Sequence, residues 1–147
     1  MFLKAFKCII LFYLVTAVST ALHEFCHFLF AYLSGVEVKE IGIGIAGRPK
    51  VRIRKLVLSP VLVAGYITID RNALKRKSTL TILLIGLSGV LANIIIVIAA
   101  VLAKINLLIG SWLVLYNVSA IIISLLPFGI DNDMRMMIHL LNTKRER

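Results

Sequence analysis

The chain has 147 residues, 60% of them hydrophobic, and a mean hydropathy of +0.97, whereas ordinary globular domains carry roughly 45–50% apolar residues. That excess excludes a soluble domain as the default. Seventeen Lys and Arg against seven Asp and Glu give a formal net charge of +10, which in so apolar a chain belongs outside a bilayer, beside anionic headgroups.

No nucleic-acid partner is expected, because the basic residues fall between long uncharged runs instead of clustering on a soluble face with groove-reading elements. The length suits a single membrane-embedded unit over residues 1–147. Cys8 and Cys26 both lie inside an apolar run, so there is neither a disulfide framework nor a CxxC metal site.

Three stretches meet the requirement of about 20 mostly apolar residues for a membrane-crossing helix. They run over residues 8–33, 79–103 and 105–127. The first follows Lys4 and Lys7, like the charged start of a signal peptide, but its apolar run is too long and no small-residue cleavage site closes it, so it is expected to be retained. The connector over 36–70 changes period. Val36 to Ile45 alternates apolar with polar or small residues, Val51 to Arg54 does so again after the turn signal Gly47-Arg48-Pro49, and a third β-rich run from Val61 to Asp70 follows Pro60. The expected fold is therefore an α-helical integral membrane protein of three transmembrane helices. A small antiparallel β-sheet, or a hairpin plus one strand, sits between the first and second. Such a sheet leaves an edge able to pair with an extended chain.

The second span is followed closely by the third, in which Trp112 and Tyr116 suit either an interfacial anchor or core packing. Asn117 and Ser124 suit helix–helix hydrogen bonds, and Gly86 and Gly89 suit close helix packing. A short amphipathic helix is expected over about 133–142, with His139 on its surface. Ten Lys and Arg lie in the connector between Gly35 and Ser78 and four beyond Pro127, against Lys4, Lys7 and Lys104 on the other side. Fourteen against three places the connector and the C-terminus in the cytoplasm and the N-terminus outside.

Ionisable side chains inside a spanning helix are costly and usually mark function. The first span holds three: His23, Glu24 and His27, in the pattern HExxH. Two histidines four residues apart share a helix face and can reach one Zn²⁺, with the glutamate beside them to polarise a bound water. A catalytic zinc wants a third protein ligand and one open position. Asp131 and Asp133 follow the third span, at the same membrane face as the end of the first, and are the best placed acids; one of them can equally cap the helix that follows.

On these residues the chain resembles the site-2 protease family of intramembrane zinc metalloproteases. His23-Glu24-Phe25-Cys26-His27 matches that family's HExxH, and Val63-Ala64-Gly65-Tyr66-Ile67 is similar to its glycine–tyrosine strand. Ser88-Gly89-Val90-Leu91-Ala92-Asn93 is similar to its Gly-Pro-x-x-Asn helix, and Ser124 to Asp133 resembles its Asn-Leu-Leu-Pro…Asp-Gly segment. The chain departs from the pattern at Val90, at Ser124 and in the missing glycine after the ligand aspartate. Of the two aspartates, Asp133 is preferred over Asp131, because Asn132-Asp133 leads into the amphipathic Met136-Met137-Ile138.

The resemblance implies one Zn²⁺ held by His23, His27 and Asp133, with Glu24 as the catalytic base. Asn93 would be a donor to the substrate carbonyl or oxyanion. The implied partners are a membrane-protein or membrane-bound peptide substrate, the lipid bilayer of a bacterial cell, and a regulatory membrane subunit where one exists. The rival from another class is a non-cleaving membrane adaptor or metal-binding subunit. Cys26 adjoins His27 and points about 100° round the helix from it, a poor position for the fourth ligand of a closed structural site.

Overall fold

The structure, a computed structural model, describes residues 2–44, 51–126 and 132–145. The first helix, α1 (Phe2–Leu33), contains neither Gly nor Pro and takes in Lys4 and Lys7, so it starts before the expected residue 8. Its end is set by Gly35, at φ 64: Gly35 N–H bonds the Tyr32 carbonyl at 3.0 Å and Val36 N–H the Ala31 carbonyl at 2.9 Å. This is the Schellman arrangement, with its usual apolar contact between buried Val36 and Ala31.

Four strands and a short helix follow: β1 (Val38–Ile43), β2 (Val51–Ile53), β3 (Leu56–Leu58), β4 (Gly65–Ile69) and α2 (Arg71–Lys75). The sheet order is β2-β3-β1-β4. The expectation of an antiparallel sheet is corrected here. β1 pairs antiparallel with β4, and β2 with β3, but β1 and β3 are parallel, with Ile41 opposite Leu56 and Ile43 opposite Leu58. The difference arises at Arg54. That residue takes φ 55 and turns the chain back after Ile53, creating a strand, β3, where no glycine or asparagine announces a hairpin. The third β-rich run is also shorter than expected, because residues 60–64 precede the strand. The end of the first run at Ile45 and the turn signal Gly47-Arg48-Pro49 lie outside the described residues.

α2 was expected only as a basic cluster. Asp70 caps it, accepting from Asn72 N–H at 2.9 Å and Ala73 N–H at 3.3 Å, and these bonds hold the Asp70 carboxyl below its ordinary range. α3 (Thr79–Leu102) is capped by Ser78, which accepts from Thr81 N–H at 3.1 Å. Lys104, at φ 48, turns the chain into α4 (Leu107–Leu125), whose cap is Asn106. Both ends of α4 fall two residues inside the expected span of 105–127, and Pro127 lies outside the described residues. The last helix, α5 (Asp133–Arg145), is longer than expected at its C-terminal end. Asn132 starts it by accepting from Arg135 N–H at 3.0 Å, and it ties that start to α4 by donating to the Ile123 carbonyl at 2.9 Å.

By length and composition α1, α3 and α4 can each cross a bilayer. α3 is the central element, packing on α1, α4 and α5. Its buried Ile82 and Ile85 join Ala31, Val38, Ile69, Leu74 and Leu140 in one core that locks the end of α1, the sheet, α2 and α5 together. The outward faces stay apolar, for example Ile95 and Val101 on α3 and Leu107 and Ile123 on α4. So much exposed apolar surface suits a lipid environment rather than water.

Candidate metal centre

α1 carries His23 and His27 on one face, one turn apart, with ring centroids 4.8 Å from each other. Asp133, at the first position of α5, meets both: one carboxylate oxygen is 3.3 Å from His23 Nε2 and the other 3.4 Å from His27 Nε2. The two Nε2 atoms are 3.1 Å apart. Counting one oxygen of Asp133, the three donor atoms lie within 4.8 Å of one another, close enough to converge on a single ion, a tetrahedral zinc with arms of 2.0–2.1 Å setting its ligands about 3.3 Å apart. Among the described residues this trio is the one grouping of His, Cys, Asp or Glu able to hold a metal ion.

The chemistry of the donor set agrees. His27 Nδ1 lies 2.7 Å from the Ile85 carbonyl, which can only accept, so the ring proton sits on Nδ1 and Nε2 offers its lone pair toward the other two ligands. Ser88 Oγ is 3.1 Å from the same Nδ1 and donates to the same carbonyl. A bare imidazole nitrogen and a carboxylate converging in a buried place call for a cation between them.

α3 forms the floor of this centre at Gly89. A Cβ there would lie 2.4 Å from His27 Nε2 and 2.5 Å from His23 Nε2. Gly65, at the start of β4, does the same for Glu24: a Cβ would meet its Cγ at 2.5 Å and an oxygen at 2.6 Å. Glu24 is thus pressed between α1 and β4, nearly buried, on a cavity of about 590 Å³ lined also by His23, Asn93, Tyr116 and Asp133. The chain leading into β4 is held by two tyrosines. Tyr116 on α4 donates to the Val63 carbonyl at 3.1 Å and lies 2.6 Å from Thr20, while Tyr13 on α1 donates to the Pro60 carbonyl.

The structure brings His23, Glu24, His27, Asp133 and Asn93 together, and Asp131 lies outside the described residues. Asn93 is buried, with Nδ2 3.1 Å from His23 Nδ1. Asn117 bonds Ser19 across α4 and α1 at 3.0 Å, as expected for helix–helix contact, whereas Ser124 lines the cavity. Trp112 packs edge-on against Phe12 with centroids 4.9 Å apart, and His139 is exposed. Three residues act at the site through contacts that their local sequence does not announce. Gly89 and Gly65 matter through atoms that are remote in sequence, and Tyr116 through a backbone carbonyl on another element.

HExxH on a helix with a distant carboxylate is a donor set of zinc metallopeptidases. A family-level comparison matches residues 11–142 to peptidase family M50, so the chain belongs to that family of zinc-dependent metalloproteases, and the resemblance to the site-2 proteases is supported. A comparison with curated protein sequences returned no match.

Proposed function

We propose that the chain is an intramembrane zinc metalloprotease, a single catalytic core that hydrolyses peptide bonds in or next to transmembrane segments of membrane proteins. One observation carries this reading: the His23 and His27 Nε2 atoms, 3.1 Å apart, converge with the Asp133 carboxylate, whose two oxygens lie 3.3 and 3.4 Å from them, beside a second carboxylate, Glu24, that lines the same cavity. His23, His27 and Asp133 would hold the zinc. Bound there, zinc supplies Lewis acidity that makes a water nucleophilic near neutral pH and polarises the scissile carbonyl. Glu24 takes the proton as the water oxygen bonds to the carbonyl carbon, and delivers it to the leaving nitrogen as the C–N bond breaks.

A helical substrate hides its carbonyls in its own hydrogen bonds, so it must unwind before attack. β4 offers the extended segment a template. It is paired only to β1 among the described residues, and its first residue rests against Glu24. A substrate strand added at that edge lies next to the base. The excess of Lys and Arg in the connector and tail supports an orientation with this end of the bundle in the cytoplasm.

The test is Glu24→Gln in purified full-length chain, assayed for zinc content and for cleavage of a co-expressed single-span substrate. Glutamine keeps the shape but cannot accept the proton, so zinc should stay and cleavage should cease. Undiminished proteolysis by that variant would overturn the mechanism. Stoichiometric zinc without cleavage by the wild-type chain, across a panel of such substrates, would favour the non-cleaving subunit.

A further inference from the structure

We infer that Asn93 is a positioning residue for the metal ligand His23: its side-chain oxygen accepts the Nδ1 proton of His23 and so fixes the tautomer whose Nε2 faces the ligand set. The inference rests on the metal-centre reading above and assigns Asn93 a different role from that of a donor to substrate.

The argument begins with the two ligand rings. α1 and α3 run antiparallel here, so that His27 meets Ile85 while His23, one turn earlier on α1, meets Asn93, about two turns later on α3. His27 already has an obligate acceptor at Nδ1, the Ile85 carbonyl. His23 has Asn93 in the corresponding place, at 3.1 Å. An asparagine amide can present either its oxygen or its NH₂ there, the two being related by a half-turn that leaves the backbone unmoved.

With NH₂ toward the ring, His23 Nδ1 must accept, and the ring proton lies on Nε2, inside the triangle of ligand atoms. That proton blocks the lone pair a metal needs. The far end of the amide is buried without a partner in this pose, and after a half-turn it holds the NH₂ instead of the oxygen, so the choice between the two rests on the lone pair of His23. With the oxygen toward the ring, Nδ1–H donates to it and Nε2 is free. His23 is then oriented like His27, each ring held from behind by an acceptor on α3, on either side of Gly89. Ligating histidines characteristically donate their other N–H to such an acceptor, and loss of that partner typically weakens metal binding 10–100-fold.

Two substitutions separate this role from the alternatives. Asn93→Leu keeps the volume and removes the acceptor; Asn93→Asp keeps an acceptor and removes the N–H donor. Zinc affinity, measured on the full-length chain in detergent by competition with a chromophoric chelator, should fall 10–100-fold in Asn93→Leu and stay at or above the wild-type level in Asn93→Asp. The visible spectrum of the Co²⁺-loaded protein should be preserved in Asn93→Asp and altered in Asn93→Leu. Both readouts are independent of cleavage.

Wild-type zinc affinity in Asn93→Leu would overturn the inference. So would zinc affinity in Asn93→Asp as weak as in Asn93→Leu, since the amide N–H would then be the group His23 needs. If Asn93→Leu does not fold, Asn93→Asp alone decides by the same criterion. A wild-type chain that binds no zinc would instead remove the metal-centre reading itself.

Discussion

Gly89→Ala tests the centre through a residue that carries no chemistry. The added methyl would stand 2.4 Å from His27 Nε2, 2.5 Å from His23 Nε2 and 2.6 Å from His23 Cε1. A carbon and a ring nitrogen in ordinary contact are about 3.4 Å apart, so both ligand atoms must retreat by roughly 1 Å, against a tolerance of about 0.2 Å for metal–ligand distances. The methyl also stands close to where a shared metal would lie. Zinc affinity should therefore fall at least about 100-fold, or about 2.8 kcal/mol at 1.4 kcal/mol per decade. α3 itself gains from the change, since alanine favours a helix by about 1 kcal/mol over glycine, so the loss cannot be ascribed to a weakened helix. Metal content by elemental analysis and chelator competition would report the effect, with helicity by circular dichroism as the check on folding. Gly110→Ala on α4 is the control, because the nearest atoms to its new Cβ all belong to Ile105, the carbonyl oxygen at 3.2 Å and the carbonyl carbon and Cβ at 3.8 Å, away from the candidate site. Wild-type zinc affinity in a folded Gly89→Ala protein would refute the placement of the two imidazoles against α3.

The remaining predictions concern the third ligand and the orientation. Asp133→Asn should lose zinc and cleavage together, whereas Asp131→Asn should keep both; metal analysis of the two proteins decides, and the reverse pattern would move the ligand to Asp131. A reporter fused at the C-terminus should be active only if it is one that works in the cytoplasm, and activity of an exported reporter there would invert the proposed orientation.

The spans were legible in the sequence because each is a run of about 20 apolar residues, and hydrophobicity needs no partner to be read. HExxH was legible because its geometry is local, two imidazoles one turn apart on one helix. The mixed sheet was not. Its parallel pair depends on a tight reversal at Arg54, a residue that gives no turn signal, and that reversal inserts β3 between β2 and β1. Nor was the role of Gly89 or Tyr116 legible: each acts through an element distant in sequence, and His23 and Asn93 are themselves 70 residues apart. A glycine that looked like general helix packing is the floor of the site, and an aromatic that suited a membrane interface holds the chain entering β4.

Asp133 stands at the head of α5, which is anchored by Met137, packed against Gly86, and by Leu140 in the core. Ribosomes deliver the chain from its N-terminus, so His23, Glu24 and His27 emerge long before Asp133 does. The roughly one hundred intervening residues take about 5–20 s at 5–20 residues per second. For all of that interval the nascent protein holds HExxH with an incomplete ligand set. On the proposed protease reading, competence to cut arrives only when α5 seats on α3 and completes the set.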